Sequence, residues 1–150
     1  MNQILTKLRQ HFPFLHKRAA TEDDFFDFCE RNEIEVVTTN LISKGVYVIF
    51  QGKHFIFLNN ELKGRMLLYV MFHELAHYLF HFPSQSRYGV EFFSVHSKEK
   101  NHTEAEYAAA LLLYPSRDLH EVFCDTEFSA TPELQYLMGL RLEIASRYRI

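Results

Sequence analysis

The chain has 150 residues, of which 47% are hydrophobic and 23% are charged, and its formal net charge is -3. This composition excludes a disordered chain, and the negative charge argues against the positive field that non-specific nucleic-acid binding requires. The length suits one domain with a core of its own. No apolar run is long enough to span a bilayer and the chain does not begin with a secretory signal, so the sequence predicts a cytoplasmic protein.

The first 60 residues predict two helices followed by three strands. Apolar residues at helical spacing over residues 4–12 predict a short amphipathic helix that ends before Pro13. Thr21 and the acids that follow it through Asp24 predict the N-cap and first turn of a second helix, to about Arg31. The runs VVTTNL, GVYVIF and HFIFLN predict three antiparallel strands, with Gly52 at the turn between the last two.

The rest of the chain is predicted to be mostly helical. Asn60 is the predicted cap of a long helix that is apolar nearly all round and ends before Pro83. A short strand is predicted over residues 90–95, a buried helix from about 101–103 to Pro115, a short helix or turn over 117–123, and a last helix opened by Thr131 and Pro132. We therefore expect one α+β domain, with an N-terminal helix over 1–20, a core with the functional site over 21–115 and C-terminal helices over 116–150.

His73, Glu74 and His77 lie within the long apolar helix, where an unpaired histidine or carboxylate is costly. Residues four apart share a helix face, so the two imidazoles can converge on one ion while Glu74 reaches a water bound to it. This H-E-x-x-H spacing is typical of zinc-dependent proteases, in which the histidines bind Zn²⁺ and the glutamate is the general base. A pair of core histidines satisfied by hydrogen bonds is the less favoured alternative.

A catalytic zinc needs a third protein ligand. His81 is excluded, because it lies about 12 Å further along the helix axis than His73. The predicted ligand is Glu104, which shares a face with Ala108 in the next buried helix, although an ordinary acid in a first helical turn is the other interpretation. Glu106 is instead predicted to form a capping box with Thr103.

Three further residues are candidates for stabilising the oxyanion of the reaction: Tyr88, His96 and His102. For the two histidines, a position on the surface is the preferred prediction over one in the pocket.

The sequences HELAHYLFH at 73–81 and EAEYAAALLLYP at 104–115 together resemble the ImmA/IrrE family of bacterial zinc metallopeptidases. The likeness covers about residues 21–115. It implies a zincin-like fold, zinc ligands His73, His77 and Glu104, and Glu74 as the base. It also implies a cytoplasmic endopeptidase that cleaves a helix-turn-helix transcriptional repressor in mobile-element or stress regulation.

Two functions from different classes therefore stay open. One is the zinc-dependent endopeptidase. The other is a non-catalytic metal-binding module, an antirepressor or toxin-antitoxin partner, that binds a repressor without cutting it. Direct binding of nucleic acid and of membranes is not expected, because the net charge is negative and no clear recognition helix is present.

Overall fold

The structure is a computed structural model, and it describes residues 1–81, 91–94, 100–116, 119 and 131–150. These residues form α1 (Asn2–His11), α2 (Glu22–Arg31), β1 (Ile34–Thr39), β2 (Gly45–Phe50), β3 (Lys53–Asn59), α3 (Gly64–His81), β4 (Glu91–Ser94), α4 (Lys100–Leu113) and α5 (Pro132–Tyr148). The predicted α+β class is confirmed. The helix or turn predicted over 117–123 lies outside the described residues, apart from Leu119.

The second helix begins as its sequence predicts. The Thr21 side chain accepts a hydrogen bond from the Asp24 backbone N–H, and the Asp24 carboxylate accepts one from the Thr21 backbone N–H. Arg18 adds a bidentate ion pair to the same carboxylate. This capping box fixes where α2 starts, and Phe25, Phe28 and Cys29 form its buried face.

The described strands form one mixed sheet in the order β1-β3-β2-β4. The strand predicted at residues 90–95 is confirmed as β4. The prediction that the first three strands are antiparallel is wrong for β1, which runs parallel to β3. The physical reason is that the chain reverses direction between β1 and β2 and again between β2 and β3, so β3, which lies between them in the sheet, runs the same way as β1.

The long apolar helix is the centre of the core, as predicted. Every residue of α3 from Tyr69 to His77 is buried. The predicted cap at Asn60 is wrong, because the chain first makes a turn in which the Asn59 side chain accepts a hydrogen bond from the Glu61 backbone N–H. The helix starts only at Gly64, which adopts a left-handed backbone conformation.

The last two helices complete the core, with α4 packed along α3 and α5 packed against both. Alanines along α4 are completely buried, which lets α3 and α4 approach closely: Ala105, Ala108, Ala109 and Ala110. On α5 the buried Arg141 donates hydrogen bonds to the Tyr114 carbonyl, the Ser116 hydroxyl and the Ile150 carbonyl. Among the described helices, none combines the length and apolar character that a bilayer crossing needs.

Candidate metal centre

Two histidines of α3 form the base of the candidate centre. The Nε2 atoms of His73 and His77 lie 3.2 Å apart, and their ring centroids are 5.0 Å apart. Both side chains are buried. Because one helical turn separates the two residues, their imidazoles point to the same place, as the sequence spacing predicts.

A third histidine reaches the same place from α4. His102 is 6% exposed, and its ring centroid lies 4.5 Å from that of His73 and 5.7 Å from that of His77. One ring nitrogen from each of the three histidines lies within 4.8 Å of the others. The prediction that His102 is a surface residue is therefore wrong. The reason is that α4 begins at Lys100, so His102 belongs to the helix that packs on α3 and not to the loop before it.

Glu104, the third ligand predicted from the sequence, lies outside this cluster. It is half-buried and lines a cavity of about 590 Å³ with residues of α1, including Ile4 and Lys7. Two residues along a helix correspond to about 200° of rotation, so His102 and Glu104 leave α4 in nearly opposite directions. The role of Glu104 as a ligand stays a prediction. The third residue that the structure brings to His73 and His77 is His102.

Glu106 does not make the predicted capping box with Thr103, because Thr103 already lies inside α4. Its carboxylate instead accepts a hydrogen bond of 2.9 Å from the Tyr136 hydroxyl of α5. Two other candidates, Tyr88 and His96, lie outside the described residues, and His81 is the last residue of α3.

Glu74 is completely buried beside the histidines. Neither of its carboxylate oxygens makes a hydrogen bond of standard geometry within the part of the chain that the structure describes. Burial raises the pKa of Glu74 well above its ordinary value, and the nearby backbone N–H of Tyr47 acts in the opposite direction. A carboxyl group in this environment holds its proton more tightly than one in water, which is the property expected of a general base that works near neutral pH.

An aromatic residue supports the cluster from the preceding turn of α3. The ring of Tyr69 meets the ring of His73 edge to face, with centroids 5.7 Å apart. Tyr69 is itself buried, and burial raises the pKa of its hydroxyl. The contact limits rotation of the His73 ring and so helps to keep its Nε2 atom on the side of the cluster.

The donor set fits a tetrahedral zinc ion. Two nitrogen ligands at the usual Zn–N distance subtend the tetrahedral angle when they are about 3.3 Å apart, which is close to the 3.2 Å between the Nε2 atoms of His73 and His77. Three protein ligands are the number that a catalytic zinc site uses, with the fourth position left for water or substrate. Imidazole nitrogens also suit copper, iron and nickel, so the donor set indicates a transition metal and excludes a calcium or magnesium site.

The sequence pointed to His73, Glu74 and His77, but it indicated His102 only as a candidate for stabilising the oxyanion and not as a ligand. A usable signal was present, because His102 shares a helix face with Ala105 and Ala109, two of the small residues that allow close helix packing. The face of Glu104 carries Ala108 in the same way, so the alanine pattern by itself did not distinguish the two candidates.

Comparison with known proteins gives the family. The model of a peptidase family, Peptidase M78, described as the IrrE N-terminal-like domain, matches residues 29–150. Neither the curated proteins nor the solved structures contain a match. The matched segment includes the β-sheet, the H-E-x-x-H helix and the helix that carries His102. The chain therefore belongs to the IrrE N-terminal-like family of peptidases.

Proposed function

We propose that this protein is a zinc-dependent endopeptidase in which His73, His77 and His102 hold the metal and Glu74 is the general base. The main support is the convergence of three imidazoles beside a buried carboxylate. Membership of a peptidase family supplies the class of reaction, hydrolysis of a peptide bond.

A bound Zn²⁺ would supply a Lewis acid that lowers the pKa of a coordinated water and polarises the scissile carbonyl. Glu74 then accepts the proton of the attacking water and returns it to the leaving amine. Its place directly after His73 turns its side chain away from the ligand set by roughly a third of a turn or less, so it acts on the water and not on the metal. The apolar packing around α3 strengthens these charge interactions by excluding solvent.

As substrate we propose a helix-turn-helix transcriptional repressor in the bacterial cytoplasm, on the strength of the resemblance to the ImmA/IrrE peptidases. An extended peptide can pair with the edge of a β-sheet through backbone hydrogen bonds. In the described sheet β4 lies at one edge, and its neighbour in the sheet is β2. Residues of the substrate that pair there would run beside the helix that carries His73 and Glu74.

The test is cleavage of a purified repressor encoded next to this protein's gene, followed by mass spectrometry of the fragments. We expect cleavage by the zinc-loaded protein, no cleavage after treatment with a chelator, and recovery when zinc is returned. A repressor that stays intact under all three conditions, while forming a stable complex with the protein, would contradict the enzyme assignment.

One observation favours a second function, that of a non-catalytic binding module. His73 and Glu74 are 0% exposed, so a peptide must displace part of the protein to reach them. An antirepressor that uses its metal only for stability would not need such access. This second function predicts that a substitution of Glu74 leaves binding of the repressor, and its inactivation by that binding, unchanged.

A further inference from the structure

Gly45 opens β2 on the face of the sheet that packs against α3. A Cβ atom at this position would lie 2.5 Å from Cγ1 of Val70, 3.3 Å from Cγ of Glu74 and 3.3 Å from the carbonyl oxygen of Phe57. The first distance is far shorter than any contact between carbon atoms. Gly45 does not have a positive φ, so it is needed for space and not for an unusual backbone conformation.

Val70 and Glu74 are one helical turn apart, so both rest over the start of β2. The space left by the missing side chain lets α3 come close to the strand at this turn. Tyr47, two residues further along β2 on the same face, brings its backbone N–H near the Glu74 carboxylate. Strand β2 therefore passes close to Glu74 at two places: a Cβ atom at residue 45 would contact its Cγ atom, and the backbone N–H of Tyr47 lies near its carboxylate.

We propose that Gly45 is a positioning residue for the base: the absence of a side chain at 45 sets where the Glu74 carboxylate lies relative to His73 and His77. This inference rests on the proposed function, because it concerns the geometry of the general base. It assigns Gly45 no contact with substrate or metal.

Two effects of a side chain at 45 must be separated. The contact with Val70 would push α3 off the sheet and lower stability. The contact with Glu74 would shift the base even when α3 stays in place. Replacing Val70 by Ala removes the first contact, which is by far the shortest, and leaves those with Glu74 and with the Phe57 carbonyl oxygen, so the variant Gly45→Ala/Val70→Ala reveals the effect on Glu74 without the contact with Val70.

The experiment compares four full-length variants in the zinc-loaded state: Val70→Ala, Gly45→Ala, the double variant, and Gly139→Ala as control. Gly139 lies inside α5 with nothing within 4 Å of an added Cβ, so its substitution should leave kcat unchanged and, because Ala favours a helix over Gly, raise the free energy of unfolding by up to about 1 kcal/mol. For the double variant we expect a melting temperature and zinc content like those of Val70→Ala. We also expect kcat to be about tenfold lower than in Val70→Ala, with KM unchanged, because displacement of a catalytic group by part of an ångström is costly.

Crystal structures of Val70→Ala and the double variant supply a readout that does not depend on activity. We expect the Glu74 carboxylate to move away from residue 45 in the double variant while His73 and His77 keep their positions. Equal kcat values in the two variants, or an unmoved Glu74, would overturn the proposal and leave Gly45 a purely structural residue. If Gly45→Ala alone does not fold, the comparison of the other two variants still decides the question.

The two proposals fail in different ways. If the wild-type protein cleaves no substrate, the proposed function is wrong. The position of Glu74 in the two crystal structures then decides the role of Gly45 by itself: a shifted carboxylate supports it and an unmoved one contradicts it.

Discussion

The Nε2 atoms of His73 and His77 lie 3.2 Å apart, and the ring of His102 closes the group from a different helix. Three imidazoles that meet in one buried place form a set of nitrogen donors of the kind that transition metals bind. One divalent metal can bind all three. The arrangement therefore leads to predictions on metal affinity, catalysis and stability.

The third ligand is tested by a pair of substitutions on α4. We expect His102→Ala to weaken zinc binding by at least about 100-fold, because it removes one of three protein ligands, and Glu104→Gln to change the affinity by less than about threefold. Competition with a chromophoric chelator measures both. A loss of zinc in Glu104→Gln with tight binding in His102→Ala would show that the carboxylate is the ligand after all.

The role of Glu74 is tested by Glu74→Gln, which keeps the shape of the side chain and removes its basicity. We expect kcat to fall by about 10²–10⁴-fold, the usual contribution of general acid-base catalysis, while zinc stays bound. The matched control is Glu30→Gln on the exposed side of α2, which should retain full activity. Peptidase activity that persists in Glu74→Gln would remove Glu74 from the mechanism.

Zinc should also stabilise the folded protein, because the site requires α3 and α4 to be packed together. At free zinc of about 100 times the dissociation constant, mass action contributes about 2.7 kcal/mol to the free energy of unfolding. For a chain of this size that corresponds to a rise in melting temperature of roughly 5–10 °C. Differential scanning calorimetry with and without chelator measures the shift, and the variant His73→Ala/His77→Ala should show none.

Arg141 is predicted to stabilise the end of α4 independently of the metal. Burial lowers the pKa of Arg141 to about 10, so the guanidinium stays charged near neutral pH and donates to three oxygens. We expect Arg141→Met to lower the free energy of unfolding by about 2–4 kcal/mol, since buried acceptors such as the Tyr114 carbonyl lose their donor. Arg141→Lys should recover little of this, because one ammonium group cannot reproduce the planar geometry of the guanidinium. Urea unfolding at fixed zinc measures both, and a wild-type midpoint in Arg141→Met would disprove this role.

The capping box of α2 gives a pH-dependent prediction. The ion pair with Arg18 holds the pKa of Asp24 below its ordinary value of 3.8, so the contribution of Asp24 to stability is complete above that value and is lost as the pH falls below it. We expect Asp24→Ala to lower the free energy of unfolding by about 1 kcal/mol near neutral pH. The difference from the wild type should shrink as the pH falls through and below 3.8 in denaturant titrations. A difference that stays constant with pH would mean that the charge of Asp24 does not contribute.

Local signals in the sequence were sufficient for most of the fold. Thr21 and Asp24 lie three residues apart and can only satisfy each other at the start of a helix, so the boundary of α2 followed from the residues alone. The position of β1 did not, because its neighbour in the sheet is β3 and not the next strand along the chain. Strand order depends on contacts between residues far apart in sequence, and no local pattern encodes them.

The candidate site divides in the same way. The sequence by itself determined His73, Glu74 and His77, because their positions relative to one another are set by the geometry of a single helix. Only the tertiary structure placed His102 beside this pair, since that depends on how α4 is rotated against α3, and the role of Glu104 as a ligand stays a prediction. The rotation is fixed by the packing of many side chains together, and it brings the imidazole of His102 to the histidine pair.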